Sequence, residues 1–136
     1  MTDRQQQLLD DLNIIEDAQE RLTIVVDRAR KLAPLPETQR TDEYRVPGCV
    51  SQVWLVSGLS DGRCHFRCDA DGPLVKGLVA LVCEFYSDTA PDDIIAGDTD
   101  PLAELRLLAN LSPTRRNGLA AVRTTIRQFA TRQSGG

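Results

Sequence analysis

The 136-residue chain holds one histidine, one methionine and one tryptophan, and only 4% of its residues are aromatic. It also lacks an excess of positive charge: 16 Lys and Arg against 20 Asp and Glu leave a formal net charge of -4. Holding nucleic acid by counterion release needs a basic surface or stripe, so nucleic acid is not expected as a partner. Long apolar runs are absent too. The opening MTDRQQQLLDD has no signal core, and no later run reaches the length of a membrane span. A cytoplasmic protein with no membrane partner is the expectation. Cysteine is scarce: Cys49, Cys64, Cys68 and Cys83 are too few and too unevenly placed for the disulfide framework of a small secreted domain, and all four read as thiols.

What remains is ordinary for a globular protein, 41% apolar and 26% charged, in a chain long enough to bury a core without staples. One domain over residues 1–136 is expected. Asp3 can cap a helix carrying Leu8, Leu9, Leu12 and Ile15, and a second helix carries Leu22, Val25, Val26, Ala29 and Leu32 at three- and four-residue steps. Pro34 and Pro36 stop it. An irregular polar stretch, Asp42 to Gly48, leads to the first cysteine.

Val50 to Ser57 is β-branched and aromatic, Ser60-Asp61-Gly62 signals a turn, and Arg63 to Asp69 alternates. This predicts a hairpin with Cys64, Phe66 and Cys68 on one face and Arg63, His65, Arg67 and Asp69 on the other. Asp71-Gly72-Pro73 opens a helix apolar over a wide arc, with Leu74, Val75, Leu78, Val79, Leu81, Val82 and Phe85, so it belongs at the centre. Thr89 and Asp92 suggest a capping box for a short helix through Ile94 and Ile95, and Asp100-Pro101 opens another. Ser112-Pro113 starts a last helix striped by Leu119, Val122, Ile126 and Phe129. The order predicts an α+β fold: a small antiparallel sheet, a hairpin with room for a third strand, packed against helices.

Three of the cysteines lie on apolar faces and read as core residues. Cys64, His65 and Cys68 look like a metal cluster only on paper. Along a strand Cys64 and Cys68 are about 13 Å apart at about 3.3 Å per residue, too far for one zinc with bonds of about 2.3 Å or for a disulfide between them. Cys49 differs. Pro47 and Gly48 precede it, Ser51 and Gln52 follow, and it stands at the head of a strand, where a thiol can meet something. Local chemistry alone leaves it open between a packed and a reactive thiol. A Cys-His dyad is not expected, because His65 opposite Leu55 would lie about 20 Å along the strand from Cys49. The same register brings Asp69 and Asp71 level with Cys49, where carboxylates disfavour a thiolate, while Arg45 and Arg115 could offset them. Such a thiol suits attack on an activated sulfur, which needs neither oxyanion hole nor water.

VPGCVSQVW, Val46 to Trp54, resembles the signature of the SufE family of sulfur-acceptor proteins, a glycine-cysteine pair followed by Ser-Gln-Val-Trp. LAPLPETQRTDEYRV (32–46), LVKGLVALV (74–82) and LSPTRRNGL (111–119) resemble its approach to the cysteine, its central helix and its last helix entry, in the same order. The resemblance implies a SufE/IscU-like fold and a sulfur carrier that activates a desulfurase without being a stand-alone enzyme. Its Cys49 would take persulfide sulfur from a pyridoxal-phosphate cysteine desulfurase of the SufS/CsdA type and pass it towards an iron–sulfur scaffold. Gly48, Ser51 and Gln52 would form the supporting loop, and Arg45, Asp71 and Arg115 are candidate partner contacts. The chain itself would hold no cofactor or metal, since the pyridoxal phosphate belongs to the desulfurase. One departure stands out: the family's second helix usually carries a Trp and a Tyr around a Glu-Arg pair, and this chain reads Asp17-Ala18-Gln19-Glu20-Arg21-Leu22.

Two competing readings follow from the residues. An iron–sulfur scaffold would need three or four converging ligands, which the strand geometry does not provide. Gly135-Gly136 matches the diglycine tail of ubiquitin-like sulfur carriers, but it follows a helix, and a frayed polar terminus is the plainer reading.

Overall fold

A computed structural model describes residues 1–49 and 51–134. The N-cap of helix α1 (Asp3–Asn13) lies one residue ahead of the expected one: it is Thr2, whose side chain forms a reciprocal capping box with that of Gln5. Helix α2 (Ala18–Arg30) is capped by Asp17, whose carboxylate accepts from Gln19 N–H, and it ends before Pro34. Two short 3-10 turns, Glu37–Gln39 and Asp42–Tyr44, carry the chain to the Cys49 loop.

The hairpin consists of β1 (Val53–Ser60) and β2 (Arg63–Ala70). Asp61 and Gly62 both take positive φ, 54° and 76°, the two-residue turn whose twist matches that of paired strands. This turn sets the register, with Ser60 opposite Arg63 and Leu55 opposite Cys68. The described strand thus starts three residues later than expected (Val50 itself lies outside the described residues), and His65 faces Gly58 instead of Leu55. No third full strand forms among the described residues. Instead each free edge takes an isolated bridge, Arg45 to Trp54 and Thr89 to Cys64.

Alternation on β2 holds from Arg63 to Arg67 and then breaks. Asp69, expected on the solvent face, is 5% exposed, because its carboxylate accepts from Leu35 N–H at 3.0 Å and from Ala70 N–H at 2.9 Å and lies 3.7 Å from Lys76 Nζ. Backbone donors and an ammonium group replace water around it, which makes burial tolerable.

Helix α3 (Pro73–Tyr86) is central, buried along most of its length against β2 and α2. Helix α4 (Pro91–Ala96) follows. Its N-cap is Ala90 with no side-chain cap, so the expected Thr89-Asp92 capping box does not form. Thr89 is spent elsewhere: it is buried, its hydroxyl donates to Ser87 C=O, and its own carbonyl accepts from Cys64 N–H at 2.8 Å. Helix α5 (Pro101–Glu104) is capped by Asp100, and α6 (Pro113–Ser134) buries Leu119, Val122 and Ile126 as the stripe requires. Gly135 and Gly136, on which the diglycine reading turns, lie outside the described residues. No described helix is long and apolar enough to cross a membrane.

Candidate functional site

The loop that carries Cys49 is pinned at Val46. Val46 is buried, and its N–H donates to Val53 C=O at 2.8 Å. Pro47 then offers no donor, and Gly48 takes φ +87°, a conformation that side chains disfavour. Together they turn the chain down onto α6, where the place of a Gly48 Cβ would lie 3.4 Å from the Ala121 methyl.

Cys49 is half-buried, and its thiol donates to Gly118 C=O at 3.3 Å. Gly118 makes this approach available. A Cβ there would lie 3.4 Å from Cys49 Sγ and 3.7 Å from its Cα, so the bare helix backbone forms the cradle. A void of about 40 Å³ adjoins the sulfur, walled by Val53, Val75, Leu78, Val79, Leu119 and Val122. Ser51 and Arg115 also line it.

Burial pushes the Cys49 thiol above its ordinary value, and the Arg45 guanidinium pulls the other way. The expected influence of Asp69 and Asp71 is not found. Asp69 faces Trp54 and turns inward, and Asp71 is held by Gln52, whose N–H donates to Asp71 Oδ2 at 3.2 Å while its C=O accepts from Asp71 N–H at 3.2 Å. At neutral pH most of this thiol is therefore protonated in its cradle. Alkylation of Cys49 should rise with pH to an inflection above that of a free thiol. Arg45→Ala should move the inflection higher still and slow labelling at pH 7–8 severalfold, measured by mass spectrometry of the Cys49 peptide. An unchanged profile would remove Arg45 from the site.

Of the residues singled out from the sequence, Cys49, Ser51 and Arg115 meet around one void, Gly48 turns the chain just ahead of it, and Arg45 acts on the thiol through its charge. Gln52 and Asp71 pair with each other beside it. His65 is exposed on β2, three residues farther from Cys49 than expected. Gly118 is not among the residues that the sequence singles out. The available signal was a glycine inside an otherwise helical run, which usually marks a close approach. Among the described residues no group of three or more His, Cys, Asp and Glu side chains is gathered to hold a metal ion.

A hairpin clasped by helices, with one loop thiol laid into a helix-walled pocket, defines an α+β protein built around a shielded sulfur. Residues 6–130 match the family described as SufE, Fe-S metabolism associated domain. An uncharacterized SufE-like protein of Rhizobium etli is 36% identical over 129 residues, covering 91% of this chain and 87% of the relative. A second, from Rhizobium meliloti, is 33% identical over 134 residues, 95% and 94% of the two chains. Among solved structures, the solution structure of a hypothetical protein from Thermus thermophilus shares the fold, with a TM-score of 0.77 over 98% of this chain and 97% of that one at 17% identity. The chain belongs to the SufE family, whose domain is associated with Fe–S metabolism.

Proposed function

We propose that the protein accepts persulfide sulfur on Cys49 from a pyridoxal-phosphate cysteine desulfurase and passes it on for iron–sulfur cluster assembly. The observation that carries this reading is the cradle: one thiol on a glycine-hinged loop, held over Gly118 beside an apolar-walled void of about 40 Å³. The pyridoxal phosphate does its chemistry in the partner. Here the Cys49 thiolate attacks the terminal sulfur of the partner's persulfide. A new S–S bond forms at Cys49, the old one breaks, and the partner's cysteine leaves as its thiolate, ready for another turnover. Clearing the persulfide in this way stimulates the desulfurase.

Both halves of the site serve this step. Release of the thiol–Gly118 hydrogen bond lets the Gly48-Cys49 loop rise to a docked partner, and return to the pocket shields the terminal sulfur from reductants. Arg115, at the pocket rim, and Asp71, exposed beside Gln52, are placed to meet the partner surface, where charges set encounter rate more than affinity.

The direct test is to incubate the full chain with a desulfurase and cysteine, block thiols, and map the added sulfur. Trypsin separates the four cysteines into peptides 46–63, 64–67, 68–76 and 77–106, so sulfur confined to 46–63 supports the proposal and sulfur on any other peptide rejects it. The shielding role has its own test. Gly118→Val fills the void and pushes the sulfur towards solvent, so the variant should accept sulfur yet lose it to a small thiol at least severalfold faster than wild type. An unchanged persulfide lifetime would show that the pocket does not protect.

A further inference from the structure

Two of the three remaining cysteines line one groove. Cys68 is half-buried on β2, Cys83 is 4% exposed on α3, and the neighbouring Cys68 raises the Cys83 thiol's affinity for its proton. The groove, of about 530 Å³, lies between α2, β2 and α3, floored by Phe66 and Leu81, with the Arg28–Glu84 ion pair, 2.6 Å long, among its walls. This groove and the Cys49 pocket have no lining residue in common. Cys64, on the same strand face, is 0% exposed and does not reach the groove.

We propose that Cys68 and Cys83 form a second thiol site, independent of Cys49, which a peroxide converts into an intramolecular disulfide joining β2 to α3. Peroxide is small and uncharged, and the groove admits it to Cys68. The Cys68 thiolate attacks one peroxide oxygen, the O–O bond breaks, and sulfenic acid and hydroxide result. Cys83, on the same groove, then attacks the sulfenic sulfur. The S–S bond forms, and the oxygen leaves as water with the Cys83 proton. Overall two thiols lose two hydrogens, and one peroxide becomes two waters.

The order of events follows from position. The neighbouring Cys68 and burial hold the Cys83 thiol well above its ordinary range, so it enters as the resolving partner and not as the first nucleophile. A thiol on the same groove captures the sulfenic acid before a second peroxide can carry it to sulfinic acid.

The test uses the full chain treated with hydrogen peroxide, alkylated, and digested with trypsin without reduction. Peptide 68–76 should appear linked to 77–106, two hydrogens below the sum of the two peptides, in protein that remains a monomer. In Cys83→Ala the link should vanish and a dione probe should trap sulfenic acid on Cys68. In Cys68→Ser, a milder change at the half-buried position, the link should also vanish while Cys83 stays reduced at the same exposure. The proposal is overturned if both peptides remain reduced and unlinked once Cys49 is fully oxidised, if the link joins two chains, or if Cys83 oxidises unaided in Cys68→Ser.

Discussion

Cys49→Ser is expected to take up no sulfur from a desulfurase that loads the wild-type chain, and to stimulate that desulfurase at least tenfold less, a difference of about 1.4 kcal/mol or more in barrier. Serine keeps the size and the hydrogen bond to Gly118 C=O, so the loop should stay laid on α6 and thermal stability should stay close to wild type. The loss would then be chemical, because a hydroxyl cannot attack a sulfur–sulfur bond at neutral pH. Intact-protein mass spectrometry and sulfide release, measured on the same samples, check both parts. Sulfur uptake by Cys49→Ser would move the acceptor to another cysteine. Loss of uptake with stimulation retained would separate partner activation from sulfur transfer.

Arg21→Met should be the most damaging substitution to the fold itself. Arg21 is 4% exposed, and its guanidinium donates to Leu12 C=O at 3.1 Å, Ile15 C=O at 2.5 Å and Leu105 C=O at 2.6 Å. It thereby joins the end of α1 and the residue that closes α5 to α2. Methionine fills most of the volume but leaves these carbonyls without their charged donor. Hydrogen bonds to charged groups contribute about 1.5–3 kcal/mol each, and neighbouring bonds are not additive, so a loss of about 3–5 kcal/mol is expected. That is a fall in Tm on the order of 10–20 °C. Arg21→Lys should recover little, since an ammonium cannot present the planar fork. Thermal unfolding followed by circular dichroism decides it. A fall of only a degree or two would mean that the three carbonyls find other donors.

The burial of Arg21 is also a feature that its sequence neighbours do not reveal. In the sequence the Glu20-Arg21 pair stands out only for the aromatic residues missing around it, and a charged residue on a helix reads as solvated. Its burial depends on Leu105, 84 positions away, which no local pattern reveals. Asp69 is a second such residue. Strand alternation placed it outside, but Leu35 N–H and Lys76 draw it in. The hairpin register lies three residues from the expected one because the turn is the two residues Asp61 and Gly62, and every cross-strand neighbour differs with it.

Much was nonetheless legible from residue order. The spacing of apolar side chains, the prolines at the starts of α3, α5 and α6, and the turn glycine determined the α+β class, because these signals act over a few residues. The string VPGCVSQVW determined the family and the cysteine worth testing. Only the tertiary structure decided what surrounds that sulfur and its neighbours. Gly118 under Cys49, the void between α3 and α6, and the groove that Cys68 shares with Cys83 join segments 15 to 69 residues apart. Contacts of that reach are set by how helices pack on the hairpin, a property of volume and shape that no short stretch of sequence contains.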